Sequence, residues 1–303
     1  MQLSNLINTH SPEDVLDEVR IILDLISPEF HTRQIISAFE TVIRLYKGDY
    51  PGYRACNTEY HDLRHVTDVF LAMARLIHGA SLDGGDFIGN QISVALMAAL
   101  FHDVGYLQEK WDTQGTGAKY SLSSVRRSAD FFRRYGKTNG LSYEDTEMGC
   151  SMISCTKIAS NLPRRKASYS MNEILGNMLC VADLLAQMSD RTYLEKLLYL
   201  YQEVNECGLG ICFESEVDLL RKALDFYEFT EHYIQMRLHE NERFMKLHFG
   251  SRWDIHQNLY RKAIEKQKRY LYEILDKPDD DPRQYLKRSG IVDHIRERYE
   301  QQQ

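Results

Sequence analysis

Apolar side chains recur along this chain three and four residues apart, the interval that gathers them on one face of a helix. Tyr193, Leu197, Leu198 and Tyr201 keep that spacing, as do Ile255, Leu259 and Ala263. The pattern predicts helices over 12–26, 28–46, 61–78, 90–104, 119–135, 143–159 and 171–188, and it continues through 192–206, 214–249, 253–276 and 282–300. Start signals fit these positions. Ser11-Pro12 and Ser27-Pro28 offer proline at the first helical position, while Ser142-x-x-Asp145 and Ser170-x-x-Glu173 resemble capping boxes. The breaks are short and glycine-rich, around Gly79 to Gly89, Trp111 to Gly117 and Gly136 to Gly140, with Pro163 and its basic neighbours marking another. No stretch alternates as a strand does, and no fixed-period repeat occurs. The expectation is an all-α chain folded as one helical domain.

Composition agrees with that picture. Only six prolines occur in 303 residues, none of them in 52–162 or 164–277, so long helices are uninterrupted. Lys and Arg number 37 against 44 Asp and Glu, a net charge of −7, which argues against a nucleic acid as the main partner. Met1 to His10 lacks the order of a secretion signal, and the longest apolar run, Val94 to Phe101, is too short for a bilayer. A cytoplasmic protein without a membrane partner is expected. The six cysteines then read as reduced thiols. The two C-x4-C pairs, Cys150/Cys155 and Cys207/Cys212, read as ordinary buried or half-buried cysteines ahead of zinc ligands.

Candidate chemistry begins at Tyr60-His61-Asp62-Leu63-Arg64-His65-Val66-Thr67-Asp68-Val69. On a helix, His61 and His65 would lie one turn apart and face one cleft. The apolar run Ala95 to Phe101 then ends in His102-Asp103-Val104-Gly105, and Asp183 interrupts a second apolar run, Leu179 to Leu185. An imidazole and carboxylates on buried helices are costly to desolvate unless something pairs with them, and a divalent cation does so. Taken alone, Asp183 reads as a solvent-facing or capping residue; with the other pieces it reads as a ligand. Two imidazoles and two carboxylates suit Mn, Fe, Ni or Zn better than Mg.

The order His65, His102-Asp103, Asp183 resembles the H…HD…D signature of the HD-domain metal-dependent phosphohydrolases. Residues 61 to 69 are similar to the H-N-x-x-H-x-x-D-V signature of the cyclic-nucleotide phosphodiesterases, and Ala182-Asp183-Leu184 to those enzymes' last metal-binding segment. The resemblance covers about 60–190. It implies a phosphodiesterase-like helical bundle, with helices 12–46 and 192–300 packed around that core. It also implies that His65, His102, Asp103 and Asp183 ligate a metal, that Asp103 can bridge to a second, and that His61 protonates the leaving oxygen. The implied function is hydrolysis of a small phosphate ester, with nucleotides and cyclic nucleotides among the candidates. The alternative is a signalling module of the same fold that binds metal or nucleotide without turnover. Two departures stand out. Asp62 replaces the family asparagine, and Tyr106 replaces a histidine near the second metal. Gln235 lies at a plausible distance for the glutamine that holds the purine, but its neighbours do not match.

Further residues have two readings each. Lys157, Arg164, Arg165 and Lys166 form a basic patch that would capture phosphate or line a solvated loop. Arg64 would face substrate or pair with Asp68 one turn on. His232, His239 and His248 fall on one predicted helix, as an accessory metal site or as ordinary histidines. The apolar stripe between Trp253 and Tyr272 would cover the core or form a homodimer.

Overall fold

The structure is a computed structural model that describes residues 2–157, 169–208, 213–278 and 281–299. Among them lie twelve α-helices and no strand: α1 Pro12–Ile26, α2 Arg33–Lys47, α3 Leu63–Leu82, α4 Gly89–Phe101, α5 Ser124–Thr138, α6 Tyr143–Ser154, α7 Met171–Ser189, α8 Tyr193–Glu206, α9 Glu216–Arg237, α10 Asn241–Trp253, α11 Leu259–Leu275 and α12 Ile291–Tyr299. The capping signals are used as the sequence suggests. Ser11 and Ser142 accept from the backbone N–H three residues on, and Ser170 and Glu173 form a reciprocal box at the start of α7.

Several predicted boundaries move, each for a local reason. Ser27 to Phe30 closes a turn, so Pro28 precedes the helix instead of opening it, and α2 begins after Thr32. The predicted run 214–249 divides at Leu238, whose φ of −149° and ψ of 80° end α9. His232 is therefore exposed on α9, His239 exposed in the turn between α9 and α10, and His248 buried in α10; the shared helical face does not exist. The run 282–300 is interrupted at Ser289, where φ is 57°.

Helix α3 is the centre of the molecule, packed against α1, α4, α7 and α10. Its apolar positions close round almost the whole circumference, as a helix covered on every side requires. Gly79 lets α10 approach: a Cβ there would sit 1.9 Å from the Phe244 carbonyl oxygen. Arg75, only 2% exposed, ties α3 to α10 and α11. It donates to the Tyr260 hydroxyl at 2.9 Å and lies over the rings of Phe249, Trp253 and Tyr260.

The buried apolar residues form two clusters. The larger is built from α1 to α7 with the end of α9, α10 and the start of α11; the smaller joins Met188, α8, the first part of α9, the end of α11 and residues 286–295. Ile264 touches both. Leu259 and Tyr260 lie in the larger cluster, so the stripe between Trp253 and Tyr272 covers the core. The described cysteines are free thiols. Cys150 and Cys155 donate to backbone carbonyls instead of facing each other across a metal, and Cys212 lies outside the described residues. Among the described residues no helix is long and apolar enough to cross a membrane.

Candidate metal centre

Three helices bring their polar residues to one point. His65 occupies the first turn of α3, and its backbone N–H is held by the Asp62 carboxylate at 2.8 Å. Asp62, where the resemblance expects asparagine, is thus the N-cap of α3; its other oxygen accepts from Lys196 at 3.2 Å. The helix begins at Leu63, so His61 lies just before it and not within it. His102 follows the last residue of α4. Its Nδ1 is 2.8 Å from the Ala99 carbonyl and must donate there, so Nε2 is the nitrogen that takes either a proton or a metal ion. Asp103 then turns into a short 3-10 segment, Val104–Tyr106, where only glycine fits at 105. A Cβ at that position would lie 1.9 Å from the Ser124 carbonyl oxygen. Asp183 comes from the middle of α7.

His65, His102 and Asp183 each offer one ligand atom, all within 4.8 Å of one another. His65 Nε2 is 3.3 Å from His102 Nε2 and 3.2 Å from Asp183 Oδ1. Asp103 Oδ2 lies 3.2 Å and 3.3 Å from the same two nitrogens. Bonds of about 2.1 Å to a first-row dication would separate neighbouring ligand atoms by roughly 3.0 to 3.4 Å, in octahedral or tetrahedral arrangement. The spacing fits. Asp103 Oδ2 is also buried, with the two imidazole nitrogens as its near partners. A buried carboxylate oxygen needs positive charge beside it, which a protonated imidazole or a cation supplies. The group can therefore hold a metal ion, and its donor set of imidazole and carboxylate favours a first-row dication.

Protonation shows the same need for positive charge. Burial works against a charged His65, yet the carboxylates of Asp103 and Asp183 push its pKa up to about 10. His102 is raised as well, against its burial, chiefly by the Asp103 charge. Burial would raise Asp103, but the imidazoles of His102 and His65 hold it well below the usual carboxylate range. In the metal-free protein, protons supply what a cation would, so metal binding must release them.

His61 stands beside this group, its ring centroid 6.2 Å from that of His65. Its Nδ1 is 2.6 Å from Glu203 Oε2, while Glu203 Oε1 accepts from the backbone N–H groups of Glu59 and Tyr60. The ring stacks on Tyr106, with centroids 4.0 Å apart. Tyr106 thus packs against His61 where the family resemblance expects a metal-proximal histidine. A second chain of hydrogen bonds supports Asp183: Gln187 donates to its Oδ1 at 2.6 Å, and Tyr60 donates to Gln187 at 3.0 Å. Glu203, Gln187 and Tyr106 were not assigned these parts by sequence spacing. Tyr46 was missed too. Its hydroxyl is buried without a partner, and its pKa is raised well above the ordinary value by burial and then by the Asp103 charge.

The remaining candidates are not brought to the cluster. Arg64 lies 3.7 Å from Asp68 and 3.2 Å from Asp190, so carboxylates on α3 and after α7 hold its guanidinium. Lys157 is exposed. Arg164, Arg165 and Lys166 lie outside the described residues. Compared with protein-family models, with curated proteins and with solved structures, the chain matches none.

Proposed function

We propose that this chain is an HD-type metal-dependent phosphohydrolase acting on a small phosphate ester, with nucleotides and cyclic nucleotides as the first substrates to test. The observation that carries the proposal is His61, fixed by Glu203 beside the group of His65, His102 and Asp183, with Asp103 against both imidazoles. A first-row dication would be held by His65, His102, Asp103 and Asp183, and would supply Lewis acidity toward a phosphoryl oxygen and toward water.

The chain's own groups do the rest. Asp103 and Asp183 bring two negative charges, which a dication offsets so that an anionic ester can approach. His61 Nδ1 donates to Glu203, whose carboxylate is in turn pinned by two backbone N–H groups. That arrangement fixes the ring so that Nε2 is the nitrogen left to pass a proton to the departing alkoxide oxygen. Tyr106 fixes the ring plane by stacking. Residues positioned this way commonly contribute about 10²–10⁴-fold to a rate.

The test is release of product from bis(p-nitrophenyl) phosphate, p-nitrophenyl phosphate and a panel of nucleotides, with Mn, Ni, Mg or no metal added. Metal-dependent release that falls at least about 100-fold in His61→Ala is expected. A metal-loaded protein that turns over no phosphate ester would contradict the proposal and favour the non-catalytic binding module.

A further inference from the structure

A groove of about 890 Å³ runs beside α11, between that helix, the turn that follows α7 and the 3-10 turn Leu3–Asn5. Five cationic side chains line it, Arg191, Lys262, Lys266, Arg269 and Arg288, against the single carboxylate of Glu265. That carboxylate is already taken, since Arg261 donates to it at 2.9 Å. In a chain whose net charge is −7, the groove is a local excess of positive charge. It is separate from the metal centre. Ser189, at its edge, lies six residues beyond Asp183 on α7, roughly 9 Å along the axis and about 120° round it.

Helix α11 sorts its charges by row. Arg261, Glu265 and Lys268 form one row that is neutralised: Arg261 pairs with Glu265, and Lys268 lies 3.8 Å from Glu228. Lys262, Lys266 and Arg269, spaced by four and then three, form the next row and are all exposed. Among the described residues none of these three forms an ion pair, and neither does Arg191; Lys262 meets only the Gln257 amide oxygen, at 3.3 Å. Like charges one turn apart work against a helix, and an anion in the groove would remove that repulsion. Arg288 is the fixed member of the set. Its guanidinium lies over the Tyr270 ring, 4.5 Å from the centroid, and donates to Gln267 Oε1 at 2.7 Å and to the Arg191 carbonyl.

We propose that this groove binds a small soluble oligophosphate, a nucleoside triphosphate or another anion with two or more linked phosphates. Its volume lies within the roughly 300–1,000 Å³ of small-molecule sites. Lys262 to Arg269 spans about 10 Å of helix, so one phosphate cannot sit beside all three cations without drawing like charges together, whereas a phosphate chain can. A nucleic acid or a membrane needs basic surface that continues past the groove, and there the neighbouring row is neutralised by Glu265 and Glu228.

Inorganic tripolyphosphate and ATP are the probes, titrated calorimetrically into metal-free protein at low salt, so that the outcome does not depend on the metal centre or on hydrolysis. One saturable site per chain is expected, at least about 10-fold tighter for tripolyphosphate than for orthophosphate and weakened by added salt. Lys266→Gln combined with Arg269→Gln should weaken it at least about 10-fold, with the helical signal unchanged because both side chains are exposed. Lys268→Gln, on the neutralised row, should change it less than about 2-fold, and so should His61→Ala. ATP bound more tightly than tripolyphosphate would identify the ligand as a nucleoside triphosphate; equal binding would identify the phosphate chain as the whole of it. Absence of saturable binding of either probe up to about 5 mM would overturn the proposal. So would binding undiminished in the Lys266/Arg269 double variant, or an equal loss in Lys268→Gln, which would mean diffuse attraction to α11. Association with vesicles of anionic lipid but with neither probe would overturn it as well.

Discussion

Gln187 lies one helical turn beyond Asp183 and holds the carboxylate oxygen that faces His65. Partners of this kind orient a ligand and usually account for about 10–100-fold in metal affinity. Gln187→Leu should therefore weaken metal binding by that factor, measured by titration with Mn or Ni, while leaving the helical signal intact. Glu203 acts on a different atom. Glu203→Gln should lower phosphoester turnover by about 10–100-fold with metal content unchanged, since the carboxylate touches His61 and none of the four candidate ligands. These two residues differ in how far the sequence reveals them. Gln187 follows Asp183 by four on one helix, a spacing that places both side chains together. Glu203 meets His61 across 142 positions, and only the packing of α8 against the loop before α3 brings them together. Likewise, His65, His102, Asp103 and Asp183 could be read from apolar helices interrupted by costly polar groups, whereas the orphaned Tyr46 hydroxyl lies on an ordinary amphipathic helix with nothing local to mark it.

Between elements, the contact of α3 with α10 carries a titratable pair. His78 Nδ1 and His248 Nδ1 lie 2.9 Å apart, and one proton serves both. Burial lowers the pKa of His78. Burial and then the charges of Arg75, His78 and Arg252 lower that of His248 well below 6.5. Both side chains therefore stay neutral in the fold under conditions in which the unfolded chain binds protons. Stability contributed by this pair is complete above about pH 6.5 and is lost as the pH falls below it. Between pH 8 and pH 5 the unaltered protein should lose stability relative to His248→Gln, read as the difference in Tm between the two, because the raised His65 and His102 titrate with the opposite sign in both. An identical slope in the variant would count against the pair. Helix periods alone located most elements, but their ends depended on turns. The closed turn at Ser27 to Phe30 displaced the start of α2, and the Asp62 cap put His61 outside α3, where Glu203 can reach it.

At the scale of the molecule, the two apolar clusters have different relations to the site. The metal cluster is assembled from α3, α4 and α7 within the larger one, while Glu203 comes from α8, whose apolar face belongs to the smaller. The all-α architecture was legible because strand-like alternation is absent and helical spacing is continuous. The arrangement of twelve helices was not, because it depends on contacts such as Gly79 against Phe244 and Arg75 among three aromatic rings. Everything proposed about catalysis rests on whether the four converging side chains bind a cation. The direct measurement is metal content by mass spectrometry after equilibration with Mn or Ni and removal of free ion, for the unaltered protein, Asp103→Ala and Asp183→Ala. The predicted result is about one ion per chain in the unaltered protein, with release of protons on binding and loss of the ion in both variants, each still helical. An unaltered protein that takes up no first-row dication, or variants that retain it undiminished, would contradict the assignment.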